Sequence, residues 1–266
     1  MTDQIENHAF RKQPCDTIRV EGLELGYGNF IVLKDLEFSI SPQEIFVIMG
    51  GSGCGKSTLL KHLTGLMIPK KGTITIQDMP FDAEDEEMRQ KILKRVGVLF
   101  QGGALWSSMT LFENVSLPLE LHTRLSHNEI REIVMFKLAM VGLDSWPETY
   151  PSELSGGMRK RAGLARAMAL DPDILFFDEP GAGLDPISSR RLDDLILEMS
   201  ESMHTTIVVV THELSSIFAI GTDGIFLDAD SKTGIAHGSP KHMLDTCMHT
   251  TVQRFLNRKT NLAELT

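Results

Sequence analysis

Ile45-Phe-Val-Ile-Met-Gly50-Gly-Ser-Gly-Cys-Gly55-Lys56-Ser57-Thr58 sets an apolar run directly before a glycine-rich loop that ends in Lys and Ser. From Gly50 to Ser57 the spacing is that of a phosphate-binding loop, G-x-x-x-x-G-K-[ST]. Gly50, Gly51, Gly53 and Gly55 allow angles that turn backbone N–H groups inward, with only Ser52 and Cys54 between them. Those N–H groups, together with the start of the following helix, cradle phosphate oxygens. Lys56 is suited to reach the β- and γ-phosphates, and the Ser57 hydroxyl to ligate Mg²⁺. The loop and Thr58 after it are therefore the expected nucleotide contacts. Cys54 reads as a small tolerated side chain rather than a redox centre.

Outward from this loop, β-rich runs alternate with helical patterns, as in parallel βα units. Strands are expected at Thr17–Val20, Leu23–Tyr27, Glu37–Ile40 and Ile45–Met49, then a helix from about Lys56 to Leu66. Thr73–Ile76, Val96–Phe100, Ile174–Phe177 and Ile207–Val210 read as further strands. Between about Leu105 and Met168 the pattern is mainly helical. There Ser126 and Glu129 have capping-box spacing ahead of Ile130, Val134, Leu138 and Val141. Asp185-Pro186 reads as an N-cap and first helical residue of a helix reaching about Met203. Met243, Leu244, Val252, Phe255 and Leu256 suggest a C-terminal helical extension over about 240–266.

Of the 266 residues, 42% are hydrophobic and 23% charged, so a folded core is expected. The net charge of -10 argues against a general nucleic-acid binder. It leaves nucleotide binding open, since that needs only local cations and backbone dipoles. Cys15, Cys54 and Cys247 are too few and too far apart for a disulfide framework or zinc spacing, which suits a reducing compartment. No apolar stretch approaches the roughly 20 residues of a membrane-spanning helix. If the protein serves a membrane process, another chain supplies the span.

A phosphate loop is common to many nucleotide enzymes, so other residues must choose among them. Ile174-Leu-Phe-Phe-Asp178-Glu179 is a buried strand that delivers two carboxylates to its exposed end. Asp178 can hold the Mg²⁺ shell. Glu179 is suited to polarise an attacking water as general base. Leu154-Ser155-Gly156-Gly157-Met158 precedes a helix expected over Arg159–Ala169 and supplies a second anion site. Within one chain two such sites are redundant. Between two copies arranged head to tail, each can close over the nucleotide of the other.

These landmarks resemble the ABC ATPases, whose signature is L-S-G-G-Q. The resemblance implies an α/β fold: a RecA-like P-loop core with an N-terminal antiparallel β subdomain and an inserted α-helical subdomain over about 105–168. One such nucleotide-binding domain would span 1–266. It also implies ATP and Mg²⁺ as ligands, and further roles in matching positions. Gln101 matches the Q-loop glutamine that contacts Mg²⁺ and nucleotide, and Asp185 closes the D-loop Ala182-Gly-Leu-Asp185. His212 matches the switch histidine, and Tyr27 the aromatic beneath adenine, with Phe30 close by. Met158 departs from the signature glutamine, so that side-chain contact is not carried over.

Phe100-Gln-Gly-Gly-Ala-Leu-Trp and Leu154-Ser-Gly-Gly-Met are similar to the ATPases of the Mla (MCE-associated) phospholipid transport systems. That similarity implies a homodimer peripheral to the cytoplasmic face of an inner membrane. Its partners would be an MlaE-like permease, an MlaD-like MCE-domain subunit and an MlaB-like STAS-domain protein. Leu105, Trp106, Met109, Leu111 and Phe112 would form an apolar groove for the permease. Three rivals stay open: the ATPase of another ABC importer or exporter, a soluble non-transport ABC ATPase, and a non-catalytic regulator. A P-loop kinase fits poorly, having no use for Leu154–Gly157.

Overall fold

The structure is a computed structural model that describes residues 16–81 and 85–257. The polar N-terminus, with Cys15, and the tail from 258 onward lie outside the described residues. In chain order the elements begin with β1 (Ile18–Tyr27), β2 (Phe30–Ile40), β3 (Ile45–Gly50), α1 (Lys56–Leu63), β4 (Lys71–Ile76) and β5 (Met79–Pro80). There follow α2 (Glu86–Leu93), β6 (Val96–Leu99), α3 (Leu111–His122), α4 (His127–Met140), α5 (Gly156–Ala167), β7 (Ile174–Asp178) and α6 (Pro186–Met203). The chain continues through β8 (Thr206–Val210), α7 (Leu214–Ile220), β9 (Asp223–Asp228), β10 (Thr233–His237), α8 (Pro240–Thr246) and α9 (Thr250–Leu256).

The main sheet has the order β10-β9-β3-β8-β7-β6, parallel except for β10. Its central strands carry continuous apolar runs, Ile45–Met49, Ile174–Phe177 and Ile207–Val210, because both faces are covered. Phe46, Ile48, Phe176 and Val208 face the antiparallel sheet β2-β1-β4-β5 and α1. The alternate residues on β7 and β8, Leu175, Phe177, Ile207 and Val209, face the helical cluster. Val47 and Met49 of β3 instead meet α7, α8 and α9. The two-residue period of a strand makes this division.

Parallel direction is what assembles the site. Ile48, Val210 and Asp178 stand abreast across β3, β8 and β7, and Leu99 of β6 pairs with Phe177. The loops that follow these strands therefore leave from one edge of the sheet.

The helical segment α3–α5 lies between β6 and β7 in sequence. Capping boxes open α3 at Thr110/Glu113 and α4 at Ser126/Glu129, the second as its spacing predicts. Ile130, Val134, Leu138 and Val141 are buried together with Leu111, Val115 and Leu164.

Several expectations needed revision. The two strands expected over Thr17–Tyr27 form one, β1, which continues through irregular pairing around Val20–Leu23. There Gly22 adopts φ +55°, so a turn residue reads as a strand break when it only marks a bulge. The helix α1 ends at Leu63, before Gly65 with φ +68°, rather than at Leu66. The expected apolar groove also divides: Trp106 is exposed, while Leu111 is buried and Leu105 and Phe112 pack against the helical core. A mixed apolar sequence does not tell which of its faces turns inward.

The C-terminal extension is two helices, not one. Gln253 Nε2 donates to the carbonyls of Leu244 and Cys247, at 2.8 and 2.9 Å, closing α9 back onto the end of α8. Phe255 meets Phe226 edge-on at 5.2 Å between ring centroids. Among the described residues, no helix is long and apolar enough to cross a membrane.

Candidate nucleotide site

A cleft of about 640 Å³ opens at the sheet edge, lined by Gly50, Gly51, Ser52, Gly53, Gly55, Lys56, Ser57, Thr58, Gln101, Glu179 and His212. Its floor is the loop between β3 and α1. Gly50, Gly53 and Gly55 have φ +147°, +77° and +102°, the left-handed range that favours glycine. A Cβ on Gly55 would lie 2.9 Å from Leu33 and 3.0 Å from Val32, so β2 packs against the start of α1. Lys56 Nζ donates to the carbonyls of Gly50 and Gly51 at 3.0 Å each, which turns its ammonium back over the loop.

Tyr27 and Phe30 pair across the β1–β2 hairpin and project into the cleft, 47% and 63% exposed. Rings this exposed are not core, and they suit stacking against a flat base. Both line the cleft, and the Lys232 ammonium lies over the Phe30 ring, 4.8 Å from its centroid. Val32 and Phe255 also line the cleft. No sequence signal marked either one as a cleft residue, because both belong to ordinary apolar patterns.

Of the residues expected to hold nucleotide or Mg²⁺ in the same chain, Cys54 and Asp178 do not line the cleft. Cys54 is buried beneath the loop with Sγ 4.0 Å from Lys56 Nζ, and burial pushes its thiol up, against redox chemistry. Asp178 is half-buried at the end of β7. Burial, and then the adjoining Glu179, raise its carboxyl above the ordinary range, while Lys61 and Lys56 pull the other way.

Asp178 Oδ1 and Glu179 Oε2 are buried carboxylate oxygens with no partner in the protein. Buried acceptors of this kind are costly unless something donates to or coordinates them. Their environment fits a divalent cation and a water molecule, with Ser57 and Gln101 on the same cleft. Glu179 holds a strained backbone, φ +49°, and its Oε1 lies 2.8 Å from His212 Nδ1.

Leu154–Gly157 lies elsewhere. Ser155 is the N-cap of α5 and accepts from the Met158 N–H at 3.2 Å, so the helix opens inside the motif rather than at Arg159. Ser155, Gly157 and Met158 line a separate groove of about 450 Å³ with Leu184 and Ser188, and it shares no residue with the nucleotide cleft. Asp185 caps α6 through bonds from the Ile187 and Ser188 N–H groups, at 3.0 and 3.1 Å.

Residues 33–182 match the family described as ABC transporter. The chain is 40% identical over 229 residues to a Haemophilus influenzae protein named intermembrane phospholipid transport system ATP-binding protein MlaF, covering 86% of each. It is 39% identical over 241 residues, 91% of its length, to a Mycobacterium tuberculosis protein named probable ribonucleotide transport ATP-binding protein mkl. It spans only 66% of that relative's length. In structure it is similar to the cassette MJ0796, described as a dimer in a post-hydrolysis state with ADP and Pi, at TM-score 0.75 and 30% identity. That match covers 84% of this chain and 98% of the other. The chain belongs to the ABC transporter family.

Proposed function

We propose that this chain binds and hydrolyses ATP as the nucleotide-binding subunit of an ABC transporter that moves phospholipid between membranes. The hydrolytic reading is carried by Glu179, one oxygen against His212 and the other buried without a protein partner. A carboxylate so placed is a base waiting for a water proton. Lys56 and the loop N–H groups hold the phosphates, and Tyr27 with Phe30 takes the base. Ser57, Gln101 and Asp178 would hold Mg²⁺, which when bound neutralises charge on the transferred phosphoryl group. His212 orients Glu179 and contacts the γ-phosphate.

Because the groove of Ser155 and Gly157 is separate from the cleft, it serves a nucleotide only if a second copy supplies one. Two chains thus enclose two nucleotides, each between one copy's loop and the other's signature. ATP joins the copies and hydrolysis lets them part. With no spanning helix among the described residues, movement of lipid requires a separate permease of the MlaE type. The reading places the dimer on the cytoplasmic face of an inner membrane, with MCE-domain and STAS-domain partners of the MlaD and MlaB types.

The phospholipid assignment is supported by 40% identity to a relative so named. The similarity to a relative named for ribonucleotide transport favours a second reading, in which the cargo is a nucleotide. Purification of the native complex, with mass spectrometry of its subunits and bound small molecules, tests both. A co-purifying permease with phospholipid supports the first. A permease carrying nucleotide cargo supports the second, and no membrane partner at all would sink the transporter reading.

A further inference from the structure

Arg159, Lys160 and Arg161 are three consecutive cations, and nothing in the sequence sets one above the others. Their surroundings do. Arg159 bonds back to the Leu154 carbonyl and Arg161 reaches the Val141 carbonyl, each at 2.6 Å. Lys160 is buried, 6% exposed, and points the other way, under the turn that follows β7. Its Nζ donates to the carbonyls of Pro180 at 2.6 Å, Ala182 at 2.5 Å and Glu179 at 3.4 Å. An ammonium has three donors, and all three are taken by one four-residue turn.

That turn is strained where the chemistry occurs. Glu179 is a non-glycine residue at φ +49°. Such backbone costs of order 1–3 kcal/mol and persists only where its surroundings over-determine it. The Glu179 N–H is held by the Val210 carbonyl at 2.8 Å, and its carbonyl accepts from Ala182 at 3.1 Å. Lys160 supplies the remaining hold, from inside. The carbonyls of the turn converge on its ammonium, which offsets part of the cost of burying a charge. Burial pulls the Lys160 ammonium below its ordinary range, while the carboxylates of Glu213, next to His212, and of Glu179 act the other way.

We propose that Lys160 is a positioning residue: it fixes the turn that aims Glu179 and couples that turn to the helix carrying Ser155–Gly157. The coupling is geometric. Lys160 lies just over one turn into α5, whose N-terminus is the signature. Where α5 crosses the segment after Gln101 the fit is tight, since a Cβ on Gly163 would lie 2.9 Å from the Gly103 carbonyl oxygen. A shift of α5 when the second copy closes is thereby passed to the turn bearing Glu179. The proposal rests on Glu179 being the general base.

The test is steady-state ATP hydrolysis by the full-length chain and by its permease complex, for Lys160→Met, Lys160→Arg and, separately, Glu179→Gln. Affinity for trinitrophenyl-ATP and the melting temperature are measured alongside. Lys160→Met keeps the stem and removes the donors. It should lower kcat about 30-fold or more, leaving nucleotide affinity within about threefold, because binding groups are untouched. Lys160→Arg, which keeps donors and charge, should recover most of the loss. A Lys160→Met protein with kcat within about twofold of the parent overturns the proposal. So does a parallel loss of kcat, affinity and melting temperature, which marks a merely structural lysine. If Lys160→Met does not fold, Lys160→Gln is read by the same criteria. Turnover surviving in Glu179→Gln would instead refute the choice of base, independently of any Lys160 result.

Discussion

His212 Nδ1 stands 2.8 Å from Glu179 Oε1, so the ends of two adjacent parallel strands, β8 and β7, meet in one carboxylate–imidazole pair. The pair fixes which oxygen of Glu179 is engaged and leaves Oε2 as the buried, unpartnered acceptor. As the proposed general base, Glu179 would lose its basicity when one carboxylate oxygen becomes an amide nitrogen.

Glu179→Gln should therefore lower kcat by about 10²–10⁴-fold, the usual range for a lost general base. ATP affinity should be preserved, since the loop N–H groups and Lys56 that hold the phosphates are unchanged. Single-turnover hydrolysis and equilibrium nucleotide binding on the same preparation check both halves.

His212→Ala removes the side chain that contacts Glu179 but leaves the proposed base in place. A loss of roughly 10²-fold in kcat is expected, smaller than that of Glu179→Gln. Equal or larger damage from the histidine change would mean that His212 itself performs the proton transfer.

Gly55→Ala should strain the phosphate loop. At φ +102° a methyl group would meet Leu33 and Val32 at 2.9 and 3.0 Å. The expected cost is about 1–3 kcal/mol of stability together with weakened ATP binding, read by denaturant unfolding and nucleotide titration.

Ser155→Ala removes the N-cap of α5, worth about 1 kcal/mol. Nucleotide affinity of the isolated chain should hardly change, because Ser155 is outside its own cleft. ATP-dependent dimerisation, followed by size-exclusion chromatography in the Glu179→Gln background, should weaken.

Asp193 gives a pH signature. Burial raises its carboxyl from 3.8 to about 6, despite the Ser216 hydroxyl donating to Oδ2 at 2.9 Å. The folded chain thus holds a proton that the unfolded chain releases near pH 4, so this group makes stability fall as pH rises from about 4 to 6. Asp193→Asn should flatten that slope and add up to about 2–3 kcal/mol at neutral pH. Urea unfolding across pH 4.5–7.5 measures it; an unchanged slope would mean that Asp193 titrates normally in the fold.

The phosphate loop, the Asp178–Glu179 pair and Leu154–Gly157 were legible in the linear chain because each is contiguous, and backbone geometry or strand polarity dictates its residue types. Strands β3, β7 and β8 were equally plain, since a strand covered on both faces reads as a continuous apolar run. Caps at Ser126 and Asp185 could be read locally for the same reason: capping is a contact over three residues.

What the sequence by itself determined was therefore the set of chemical parts and the order of the elements that carry them. Tertiary structure decided which parts meet. Glu179 and His212, 33 residues apart, become partners only because β7 and β8 run parallel in register. The signature belongs to another groove although its helix packs beside Glu179, and of three adjacent cations only Lys160 enters the turn. Side-chain direction on a helix depends on what packs against it, and a run of like residues carries no record of that.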